Sequence, residues 1–105
     1  MMMDGGTIAL DLVIRYGIRT EEGNRNIYTT PIIMDEPTVF GPNFPGVIIS
    51  HDRMTAYCEK AVYDRITKTI SLTGNVYLED PKGVQKYRIG LITMTGRKPV
   101  FMFSK

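Results

Sequence analysis

Few side chains in this sequence have the chemistry to act as nucleophile, base or metal ligand. There is one cysteine, Cys58, and one histidine, His51. A cysteine nucleophile needs a base to hold it as thiolate, and His51 is the sole imidazole on offer. Without a motif joining them, Cys58 reads as a small core residue. His51 is followed by Asp52, a pair that can orient a proton transfer, but a surface histidine beside an aspartate is the simpler reading. One histidine and one cysteine do not make a zinc site of the usual spacings, and the acids follow no calcium-loop pattern. No phosphate-cradling glycine loop or dinucleotide fingerprint is present. A Ser–His–Asp set stays open, because folding can bring any serine to His51. The expectation is a protein without enzymatic activity, cofactor or metal.

The chain of 105 residues is 43% apolar and 23% charged, the balance of a single soluble globular domain. It holds no apolar run near the roughly 20 residues of a helical membrane span. No secretory signal is visible. The expected location is cytoplasmic, or periplasmic if a signal or anchor segment was removed. Residues 1–6 read as a disordered start or a cloning remnant, and residues 7–105 as one β domain. Residues 1–50 hold three arginines against six acids, net −3, and residues 51–105 hold ten Lys/Arg against five acids, net +5. A basic half suggests an anionic partner, and a solvated surface of mixed sign is the plainer account.

Strand patterns dominate. Over Thr7–Tyr16, the residues Ile8, Leu10, Leu12, Ile14 and Tyr16 alternate with Ala9, Asp11, Val13 and Arg15, which predicts one strand. A second is predicted over Ile27–Ile33. Pro31 cannot donate to a ladder, so that strand should be an edge or carry a bulge. Residues 35–46, DEPTVFGPNFPG, form a stiff loop in which Phe40 and Phe44 either clamp a ligand or, preferably, anchor the loop. Met54, Cys58, Ala61, Val62 and Ile66 lie at helical spacing, so a short helix near residues 51–62 is one reading. Period-two alternation with a shift near Lys60 is the other. Tyr63–Ile70 reads as a hairpin corner, with Asp64 bonding the turn amides. Asp80-Pro-Lys-Gly83 is a good type I turn, Val84–Thr95 a further strand, and Val100–Phe103 is apolar on both faces. The predicted class is all-β: an antiparallel open jelly roll or sandwich.

Gly74 stands where the apolar face Ile70, Leu72, Val76, Leu78 would expect a side chain. Glycine there marks a bulge or bend, and Asn75 beside it also tolerates unusual backbone angles. The segment EKAVYDRITKTISLTGNVYLED, residues 59–80, with Asp52-Arg-Met-Thr55 before it, resembles the repeat unit of the OstA/LptA-type family. These are the periplasmic lipopolysaccharide-transport proteins, LptC among them. The match covers residues 51–83 and is the reason to prefer strand over helix for 53–63. The resemblance implies an open β-jelly roll whose interior receives acyl chains. It makes Gly74 and Asn75 the strand bend, and Tyr63, Ile70, Leu72, Val76 and Leu78 the lining of an apolar trough. Members of that family join through terminal strands, so Val100–Phe103 would be an exposed edge.

Three functions follow. A lipid-carrying or bridge-forming protein would hold an amphipathic, lipopolysaccharide-like lipid, with Lys60, Arg65, Lys68, Lys86 and Arg88 meeting its anionic headgroup. A structural subunit, of a phage particle for example, would pair with copies of itself through edge strands. A small nucleic-acid-binding barrel, the less favoured reading, would stack bases on Tyr57, Tyr77 and Tyr87 among Lys82, Lys86 and Arg88.

Overall fold

The structure is a computed structural model in which residues 4–8, 10–30, 37 and 39–105 are described. They form twelve strands: β1 (Asp4–Thr7), β2 (Val13–Tyr16), β3 (Ile18–Glu22), β4 (Arg25–Thr29), β5 (Val47–His51) and β6 (Met54–Cys58), then β7 (Lys60–Asp64), β8 (Thr69–Thr73), β9 (Val76–Asp80), β10 (Gly83–Tyr87), β11 (Ile89–Thr93) and β12 (Val100–Ser104). Two six-stranded sheets result, ordered β1-β2-β5-β6-β9-β10 and β12-β11-β8-β7-β4-β3. Every pairing is antiparallel.

The two sheets share one logic. β2 runs into β3 across Gly17, β6 into β7 across Glu59, β8 into β9 across Gly74–Asn75, and β10 into β11 across Arg88. Each pair is a long strand whose first part lies in one sheet and whose second lies in the other. The chain is thus a meander of long strands folded across its middle. Residues alternate inward and outward along each arm, so the inward rows of both arms meet in one core of Leu12, Ile14, Val47, Ile49, Ala56 and their neighbours.

Turn chemistry fixes the hairpins. Asp64 Oδ1 accepts from the amides of Ile66 (2.9 Å) and Thr67 (3.1 Å), which holds the β7–β8 corner as expected. Those amide bonds also lower the Asp64 pKa. Lys82 N donates to Asp80 Oδ1 at 2.8 Å within the β9–β10 turn.

Several expectations need correction. Residues 51–62 hold no helix. They are the end of β5, a turn in which Asp52 takes φ +55°, then β6 and the start of β7. Helical spacing arose there because the inward parity of β6 resets at Glu59, where the chain changes sheets. The strand predicted over Thr7–Tyr16 is broken. Leu10 and Asp11 adopt φ 50° and 62°, turning the chain into a β1–β2 hairpin. Residues 4–6 therefore belong to β1 and not to a disordered start. β4 ends at Thr29 and lies between β3 and β7, so it is no edge. Pro31 falls outside the described residues, as does most of residues 31–38.

Candidate functional site

Gly74 sits at a junction and not within one strand: β8 ends at Thr73 in one sheet and β9 begins at Val76 in the other. Its φ is +79° and that of Asn75 is +48°, both in the left-handed region that L side chains avoid. A Cβ at position 74 would lie 2.6 Å from Glu59 Oε1 and 2.9 Å from Glu59 Cβ. Gly74 O accepts from Glu59 N at 2.8 Å, so two neighbouring long strands bend together here. The missing side chain makes room for the fold line.

The residues assigned to a trough do share the interior. Ile70, Leu72 and Val76 belong to the core, while Tyr63 and Leu78 are half-buried and pack against it. Yet Ile70, Leu72 and Val76 are 0% exposed, so not even a water-sized sphere touches them. The cations do not gather around an opening. Lys60 projects from β7 beside the β3–β4 hairpin. Arg65, an exposed residue, is held by its own chain, donating to Asn26 Oδ1 and, at 2.5 Å, to Gly23 O. Lys68 lies in the β7–β8 turn with φ +58°, Lys86 reaches over the Tyr77 ring, and Arg88 occupies the β10–β11 fold line.

The outer face of the first sheet carries a second, separate cluster. Tyr57 and Tyr77 are a cross-strand pair on β6 and β9, and Tyr57 also faces Ile48 of β5. Phe40 and Phe44 of the loop lie on them. Phe44 is 4.8 Å from Tyr57 between ring centres, and Phe40 is 5.2 Å from Tyr57 and 4.9 Å from Tyr77. The two phenylalanines anchor the loop, as preferred from sequence, but to this outer face and not to the main core. Tyr57 is 0% and Tyr77 7% exposed, so neither offers a ring for a base to stack on. Tyr87 is half-buried and turned to Phe103, 5.3 Å away. The Tyr57 hydroxyl accepts from Gly41 N at 2.9 Å and donates to Glu79 Oε1 at 2.5 Å. Burial, then the Glu79 bond, pushes its pKa up to about 12. Beside this cover, Arg15, Ser50, Thr55 and Glu79 help line a shallow cleft of about 490 Å³.

Cys58 is fully buried, and burial raises its thiol pKa. It pairs with Val47 at one end of β5, while His51 pairs with Met54 at the other, roughly 13 Å along the ladder. The structure therefore does not bring thiol and imidazole together. His51 Nδ1 is buried without a hydrogen-bond partner. Among the described residues, no group of three His, Cys, Asp or Glu is placed to hold a metal. Among them, too, no helix is long and apolar enough to cross a membrane.

The four sheet edges differ. β3 (IRTEE) and β10 (GVQKY) carry charges, while β1 (DGGT) is short and has glycine at two of its four positions. Such charges keep an unpaired ladder from joining another. β12 (VFMFS) carries none. Its inward side chains hold it in place: Phe103 lies over Gly90 of β11, where a Cβ would come within 2.7 Å of the ring, and Phe101 stacks parallel to Phe103 at 6.2 Å. Its outward Val100 and Met102 are 52% and 60% exposed. The outward row runs on across the second sheet in register as Met102–Leu91–Ser71–Val62–Ile27–Thr20, without a charge. The family resemblance implied an exposed edge at Val100–Phe103, and β12 is an edge among the described strands. Sequence reasoning missed the outer aromatic patch, although alternation already put Tyr57 and Tyr77 outside.

Comparison with family models, with the curated proteins and with the solved structures found no match to this chain.

Proposed function

We propose that this chain is a non-enzymatic assembly module that joins other copies of itself by adding strands at β12. The supporting observation is that β12, an edge among the described strands, lacks the charges that guard β3 and β10 and leaves Val100 and Met102 bare. An unpaired ladder satisfies its amides and carbonyls on a partner strand, and the uncharged outward row adds apolar surface to the contact. The nucleic-acid reading is less favoured, since Tyr57 and Tyr77 lie under the loop and Tyr87 is turned to Phe103. Acyl-chain carriage would require the two sheets to part, because Ile70, Leu72 and Val76, the middle of the proposed trough, have no free surface.

Sedimentation velocity across a wide protein concentration range tests the proposal. The expected species has a multiple of the 11.9 kDa chain mass, and Met102→Lys, which sets a charge on the edge, shifts it to monomer with an unchanged circular dichroism spectrum. A monomer at every concentration overturns strand addition. A fluorescent acyl probe bound at micromolar concentration by that monomer would move the assignment to lipid carriage.

A further inference from the structure

Resting on that reading, we infer that the assembly is a closed two-fold pair in which β12 lies antiparallel to β12 of a second copy, with Met102 opposite Met102. The partner is argued from the edges. Adding β12 to β3 of another copy would set Phe101 and Phe103 beside Arg19 and Glu21, which share the inward side of β3. Adding it to β10 would place an uncharged strand against one bearing Lys86. β1 offers two glycines and so little side-chain surface, whereas a second β12 presents a matching uncharged edge with apolar side chains. The contact is then isologous and uses up both edges, so it stops at two copies and does not run on as an open chain.

Symmetry restricts the register. A two-fold axis normal to the sheet keeps inward side chains inward, and directly opposed residues in an antiparallel pair share a face. Phe101 must therefore face an inward residue, which allows only every second register. Of these, centring on Met102 pairs the whole of Val100–Ser104: Phe101 with the partner's Phe103 on the inner face, Val100 with the partner's Ser104 on the outer. Shifting the centre to Phe101 draws Lys98 and Pro99 into the ladder, and Pro99 has no amide to give.

Single cysteines read this register directly. Opposed Cα atoms in an antiparallel pair are about 4.5–5.5 Å apart, within the span of a disulfide. Met102→Cys is expected to give a disulfide-linked dimer as the main product of mild oxidation. Val100→Cys and Ser104→Cys, each held about 14 Å from its own copy, give little, while the Val100→Cys/Ser104→Cys double variant links strongly. All three sites are exposed or lie at the edge, so circular dichroism should match the parent, and buried Cys58 leaves the parent unlinked. A dimer by sedimentation whose Met102→Cys form links no better than Val100→Cys overturns the two-fold register but leaves strand assembly standing. A parent that sediments as monomer removes both.

Discussion

The two outer faces of the sandwich make opposite use of similar strands. On the first sheet, Ile48, Tyr57 and Tyr77 would form an apolar patch facing water, and the chain covers it itself with Phe40 and Phe44. On the second sheet, the row from Thr20 to Met102 receives no such cover among the described residues, and its members are small or aliphatic where the first sheet has rings. Large aromatic surface is costly to leave in water, and here a proline-stiffened loop is recruited to bury it. Val, Ile and Thr on a half-exposed sheet are tolerated singly, so the second face and its β12 edge can stay uncovered among the described residues.

The contrast can be broken from the covered side first. Phe44 is 1% exposed, and Phe44→Ala should cost about 3 kcal/mol in urea unfolding, as truncating a buried phenylalanine does. Cleavage by a protease between residues 39 and 46 should appear with it. A loss below about 1 kcal/mol would mean that the loop contributes little to the fold.

Tyr57→Phe should cost less, about 1–2 kcal/mol, because it removes a hydroxyl that joins Gly41 to Glu79. It should also change the alkaline limb. The folded Tyr57 pKa, about 12, lies above its ordinary value of 10.0. The stability it contributes is therefore whole below pH 10 and declines as pH rises towards 12, since the unfolded chain loses the proton first. The variant should lack that part of the decline in unfolding experiments between those pH values.

The smallest effect belongs to the bare face. Val62→Thr, in the outward row of the second sheet, should change the stability of the protein by no more than about 0.5 kcal/mol. A larger loss would show that this face is packed after all.

The class of fold was legible because alternation, Asp64, and Asp80-Pro81 each act within a few residues. Hairpins β7–β8 and β9–β10 stand where local chemistry puts them. The β1–β2 hairpin was not legible, since the left-handed Leu10 and Asp11 interrupt a pattern that alternates perfectly through them. Nor was the distance between Cys58 and His51, which depends on the β5–β6 register. For the candidate site, the uncharged run Val100–Ser104 could be read off directly, but not its position at the rim of a sheet.

What the sequence determined by itself is therefore the alternation, the turns and the want of a side chain at position 74. These are set by backbone sterics and by bonds that close within a turn. Only the tertiary structure decided that Gly74 is a fold line between sheets, that the loop's rings cover Tyr57 and Tyr77, and that β12 lies at an edge. Those outcomes depend on contacts between residues far apart in the chain, where burial of apolar surface selects one arrangement among many that the local rules allow.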